Sequence, residues 1–224
     1  MKKLNFLTKF LVACFLAFCA FGFVACGDDD DNSDETLSYP SGSLTDRGGE
    51  TVSQANLNEF FATLEEEIYG SGNSYDGSSY ESTEDFDWGF RESGSKSGYY
   101  DWRQISYTEK KTADGESISD KFTQEYHNYS NTDVLYLGGG MATQYNENYK
   151  ETATSYEYVA EITINGKINL TGKYKTTIDF QNFKFKQDSK SDRDTHIGGK
   201  IILGTLDITN RFEDLLDTGV WEDG

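Results

Sequence analysis

The stretch YEYVAEITINGKINLTGKYKTTIDFQNFKF, residues 156–185, decides the fold. Tyr156, Tyr158, Ala160, Ile162 and Ile164 alternate with mostly polar residues. Ile168, Leu170, Gly172, Tyr174, Thr176, Ile178 and Phe180 continue in even positions after Asn165 and Gly166. A period of two sends successive side chains to opposite faces of a strand, and Asn-Gly between two such runs is a strong hairpin signal. The expected turn length follows from which faces must match. A two-residue loop would set Ile162 opposite Asn169, whereas a three-residue loop of Ile164, Asn165 and Gly166 pairs Ile162 with Ile168 and keeps both apolar faces together. The three-residue turn is therefore expected, with Gly166 in a left-handed bulge position. Lys167, Asn169, Lys173 and Lys175 then share a solvated face with Glu157 and Glu161.

The same period extends outward. Phe86, Trp88 and Phe90 alternate, as do Ile118, Phe122 and Tyr126, and turn-rich breaks fall at Ala113–Gly115, Ser130–Asp133 and Gly138–Gly140. Residues 164–170 are echoed at 197–203, each read as a turn feeding a strand. Two copies are too few for a solenoid. Before the strands, a Gly- and Ser-rich stretch from Gly70 to Glu84 reads as a surface loop. Ahead of it, Leu57, Phe60, Phe61, Leu64 and Ile68 form one apolar stripe at helical spacing, with Glu59, Glu65, Glu66 and Glu67 mostly off it. Thr51 with Gln54 fits a capping box, and Gly70 fits a helix end. At the other end, Phe212, Leu215 and Leu216 fit one helical turn closed by Gly219, with Val220 and Trp221 packed back on the sheet. The expected fold is mainly β: an antiparallel meander forming a curved sheet or barrel, with one N-terminal amphipathic helix packed on it.

The chain opens with Lys2, Lys3 and Lys9, an apolar run from Phe10 to Val24, and Ala25, Cys26 and Gly27 before Asp28–Asp31. These are the parts of a secretory signal. Val24, Ala25 and Cys26 resemble the lipobox of the bacterial lipoprotein class, with Phe23 in place of the usual Leu. The resemblance implies cleavage before Cys26 and lipid attachment to its sulfur. Fifteen residues from Phe10 to Val24 fall short of the roughly 18–20 a spanning helix needs. Leu11, Val12, Ala13 and Cys14 spell a second, less favoured lipobox. The aspartates after Cys26 resemble the acidic export signal of surface-exposed lipoproteins, and read equally well as a solvated linker. Three segments follow: residues 1–25 a lipoprotein signal peptide, 26–50 a disordered acidic tether, and 51–224 a β-rich domain.

Signal removal takes the formal charge from −19 to −22, because three lysines and no carboxylate leave with it. So acidic a surface disfavours nucleic acid and electrostatic membrane attachment, leaving the lipid as the membrane partner. The three cysteines are Cys14, Cys19 and Cys26, so a mature chain beginning at Cys26 has no thiol to pair. His127 and His196 offer no metal-ligand spacing. Asp188, Asp192 and Asp194 share one loop but lack the spacing and glycine of an EF-hand. Nucleophile elbows, phosphate loops and dinucleotide fingerprints are not found. The one assigned site is lipid attachment at Cys26, with no catalytic, cofactor-binding or metal residue. Fifteen tyrosines, with Trp88 and Trp102 near Tyr99, Tyr100 and Tyr107, offer a stacking platform for sugars or the filling of a strand-rich core. The expected role is a non-enzymatic binding or structural lipoprotein of the outer membrane, with a glycan or protein partner left open. A lipid or lipoprotein carrier stands second and a glycan-acting enzyme third.

Overall fold

The computed structural model describes residues 37–69, 89–112, 115–151, 156–191 and 194–213. The expected signal and lipid-attachment site, the aspartate run, Gly70–Glu84, Phe86, Trp88, Asp192 and the stretch from Leu215 to Trp221 lie outside them. An eight-stranded sheet in simple sequence order, each strand antiparallel to the next, makes up most of what is described. The strands are β1 (Gly89–Ser93), β2 (Ser97–Thr112), β3 (Gly115–Ser130), β4 (Leu135–Glu151), β5 (Tyr156–Gly172), β6 (Thr176–Asp188), β7 (Thr195–Leu203) and β8 (Leu206–Asp207). The sheet is open, with β1 and β8 at its edges, so the closed-barrel form of the expectation is not adopted.

Helix α1 (Leu57–Tyr69) packs on one face. Leu57 and Phe60 are completely buried, Phe61 and Leu64 nearly so, in one cluster with Leu135, Leu137, Ile162, Leu170 and Phe183. Burying each such side chain contributes about 1.5–3 kcal/mol. The expected stripe is therefore core. Its N-cap is not the expected one. Asn56 opens the helix, its carbonyl accepting from Phe60 N–H at 2.9 Å, while its side-chain oxygen accepts from Ser53 N–H at 2.8 Å. Thr51 enters only as a carbonyl bonded by Asn56 Nδ2.

The hairpin expected at Ile164–Gly166 does not form. β5 runs unbroken from Tyr156 to Gly172, and the chain reverses instead at Lys173–Lys175, where fully buried Tyr174 meets Phe60 edge-on at 5.5 Å. Ile162 pairs with Tyr145 and Phe185, and Ile168 with Gly139 and Ile178. Gly166 sits mid-strand at φ 159°, where a Cβ would meet Met141 Cα at 2.4 Å, so a close approach and not a turn requires glycine. The even-numbered face of β5 is nonetheless the buried one as expected, because its alternation is independent of its partner. β6 carries the irregularity: Gly166 faces Phe180 and Ile164 faces Phe183, so Gln181 and Asn182 oppose Asn165 alone. Asn182, at φ 46°, forms this bulge and transfers the core face from Ile178 and Phe180 to Phe183 and Phe185. Asn128, at φ 49°, does the same in β3 between Tyr126 and Tyr129. The echoed residues 197–203 lie within β7, again in no turn.

Gly138–Gly140 is likewise strand, in β4. Its glycines make room for residues 37–50, a strap lying along the face opposite α1. A Cβ on Gly138 would sit 2.5 Å from Leu44 Cβ, and one on Gly140 would sit 2.6 Å from Pro40 O. Part of the expected tether is thus folded structure. The strap then rounds the β5–β6 turn, where Glu50 bridges Tyr174, and delivers α1 to the other face. The helix is consequently not the first element of the fold.

Candidate functional site

Backbone groups hold the strap. Gly139 N–H donates to Gly42 O at 3.1 Å, Asn128 N–H to Ser43 O at 2.9 Å and Gly172 N–H to Gly48 O at 3.0 Å. Side chains complete the seat: Asn165 Nδ2 donates to Leu37 O at 2.7 Å, Thr45 N–H to Asn128 Oδ1 at 2.6 Å and Arg47 N–H to Thr171 Oγ1 at 2.7 Å. Arg47 stacks over the Tyr136 ring at 3.7 Å. Asp46 bonds the Lys175 ammonium, which holds its carboxyl below the ordinary value.

Beside the strap, β2 and β3 bring Asp101, Glu125 and His127 within 4.8 Å of one another. The spacing of His127 and His196 gives no sign of this group, although Glu125 and His127 share a face at alternate positions. The chemistry favours a fastening network over a cation site. Ser43 N–H donates to His127 Nδ1 at 3.2 Å, which leaves the proton of the neutral ring on Nε2, facing Glu125 Oε1 at 3.3 Å. Arg91 takes both Asp101 oxygens, at 2.6 and 2.7 Å, and lies over Tyr99, which stacks on His127 at 4.6 Å. A cation here would have to displace the ring proton and sit against a guanidinium. Next to this network a cleft of about 490 Å³ opens between Leu37–Pro40 and β2–β4, with Arg103, Lys121 and Ile105 on its wall. A second cleft, about 440 Å³, lies where Tyr149 and Tyr158 pair near the far strand ends.

On the helix side of the sheet, β2–β4 carry a buried polar patch. Asp120 is 2 % exposed and Gln124 1 % exposed. Gln104 Nε2 donates to Asp120 Oδ1 at 3.0 Å, yet burial pushes the Asp120 carboxyl up to about 6. Both polar atoms of the Gln124 side chain are without a hydrogen-bond partner among the described residues. Trp102 and Phe122 lie beside it, their rings 5.6 Å apart. Trp102 is thus a buried core ring, while Tyr99, Tyr100 and Tyr107 are half-buried. His196, on β7, stacks on Phe183 at 5.3 Å, four strands away from His127 on β3. Asp188 accepts Lys190 N–H, which holds it below the usual carboxylate range, and Asp194 accepts Gln187 Nε2 at 3.2 Å.

No protein-family model, curated protein or solved structure matches the chain.

Proposed function

We propose that this chain is a lipid-anchored lipoprotein of the cell envelope, held in the outer membrane through Cys26, whose domain has a non-enzymatic binding or structural role. The observation that carries the anchor is the run Phe23–Val24–Ala25–Cys26 behind a basic and apolar leader. The domain's role is supported by the complete burial of Leu57 and Phe60, which makes α1 a fixed wall of the core. A carrier would instead need that stripe as a lid over an apolar cavity. Carboxylates for glycan chemistry do meet at Asp101 and Glu125, but the first is neutralised by Arg91 and the second faces His127. Bulges at Asn128 and Asn182 favour a curved sheet.

Fatty-acid labelling tests the anchor. Cys26→Ser should abolish incorporation and release the protein from membranes; label that survives, or is lost on Cys14→Ser instead, overturns the assignment. The export reading of Asp28–Asp31 is tested by changing all four to Ala and adding protease to whole cells. Protection of the variant supports the signal, and unchanged cleavage leaves a solvated linker.

A further inference from the structure

Leu37, the first described residue, lies over the middle of one face of the sheet. Asn165, which holds Leu37 O, stands nine residues from one end of β5 and seven from the other. Eleven residue steps separate Leu37 from Cys26, a span of at most about 36–40 Å at full extension. Reaching a bilayer on the far side of α1 would take about 10–15 Å sideways past β6 and β7, then about 15 Å more beyond the sheet and helix layers. Most of the available length would be stretched along the protein, at a large entropic cost. A bilayer on the strap side needs none of that detour.

Charge is unevenly placed in the same sense. In a chain with 39 carboxylates, the row Ser106, Lys121, Gln144, Thr163 and Lys184, paired side by side across β2–β6, carries two ammonium groups and no acid. Cross-strand partners share a face, and Thr163 lies on the Asn165 side of β5, so this row is on the strap face. The carboxylates elsewhere on this face stand beside partners, Asp101 with Arg91, Asp179 with Lys167, Glu125 with His127 and Glu161 across from Lys186, so net charge misrepresents what this face offers to phosphate head groups.

We infer that the strap face, centred on this row, is applied to the head groups of the bilayer that holds the anchor, and that the α1 face points away from it. The inference rests on the anchor at Cys26 proposed above. Because the mature chain has no other free cysteine, a single introduced thiol reports its own position. Full-length Gln144→Cys, Thr163→Cys, Glu66→Cys, Thr112→Cys and Val134→Cys, lipidated in cells, are dye-labelled and placed in phosphatidylethanolamine–phosphatidylglycerol vesicles bearing a nitroxide on a fraction of the head groups. Emission at Gln144 and Thr163 should be lost several-fold more than at Glu66, on the exposed side of α1. Equal or greater loss at Glu66 overturns the orientation, as does loss confined to Thr112 or Val134, near opposite strand ends. Fatty-acid label is read on the same samples. Its presence with the wrong quenching pattern refutes the orientation alone, and its absence refutes the anchor and the orientation together.

Discussion

Glu67, completely buried near the end of α1, accepts the backbone N–H of Asn131 in the β3–β4 turn, and Asn131 Nδ2 donates back to Glu67 O at 3.1 Å. The same carboxylate accepts the Thr132 hydroxyl and, at 3.4 Å, Leu135 N–H. One side chain thus satisfies a turn that α1 would otherwise bury unpaired. Glu67→Ala should destabilise the domain by about 3–5 kcal/mol, since it strands several buried donors, and Glu67→Gln by about 1–3 kcal/mol. Urea denaturation decides it; midpoints equal to the parent's would show that the clamp is incidental.

The strap is a second fastening. A chain beginning at Leu37 should be more stable than one beginning at Thr51 by about 2–4 kcal/mol, because loss of the strap leaves Asn165, Thr171 and Gly139 N–H without their partners. Gly138→Ala should loosen the strap without removing it, as the nearest atoms to its Cβ would be strap atoms, Leu44 Cβ at 2.5 Å and Ser43 O at 2.7 Å. Limited proteolysis should then cut within residues 37–47 faster than in the parent. Identical cleavage rates and matching stabilities of the two truncations would place the strap outside the fold's energetics.

How much of this was legible follows from which interactions leave a pattern. The α1 stripe and the even face of β5 are written in apolar side chains and read directly. Glu67, grouped in the sequence with the glutamates mostly off the stripe, is in fact buried at its edge, and the helical spacing of 60, 64 and 67 is the partial sign of it. Asn165–Gly166 misleads because an Asn-Gly pair carries the local signature of a hairpin, while its actual job is to let β4 approach and to hold the strap. The step from Phe180 to Phe183 does break the even alternation, and that is the visible trace of the Asn182 bulge. The strap contributes mostly its own backbone N–H and carbonyl groups, which every sequence possesses, and the trace it does leave, the Gly138–Gly140 run, reads as a turn. Asp101, Glu125 and His127 come together only through the β2–β3 register, which two bulges set.

Asp120 makes stability depend on pH in a direction opposite to that of a salt-bridged carboxylate. Its folded value of about 6 lies above the ordinary 3.8, so between these two the folded state holds more proton than the unfolded one, and stability falls as pH rises through that window. A shift of this size corresponds to about 3 kcal/mol, the loss being complete above the folded value. Asp120→Asn keeps an acceptor for Gln104 and removes the titration. It should match the parent near pH 4 and exceed it by about 2–3 kcal/mol at pH 7.5. Parallel stability profiles for the two proteins across that range would remove Asp120 as the cause.

A fixed core and a lid respond differently to truncation of Phe61. Phe61 is 5 % exposed, tilted against Phe60 at 5.8 Å, with the Arg211 guanidinium over its ring at 5.4 Å. Truncating a packed Phe typically costs about 3–5 kcal/mol, a large share of a domain's roughly 5–15 kcal/mol, whereas a residue lining an access lid loses few contacts. Phe61→Ala in the chain beginning at Leu37 should therefore lower the urea midpoint steeply. The unsubstituted chain beginning at Leu37, which lacks Cys26 and so carries no anchor lipid, should show no co-purifying lipid when purified from cells and examined by native mass spectrometry. A mild stability loss together with bound lipid would mean that the stripe opens, and would replace the binding or structural role by that of a carrier.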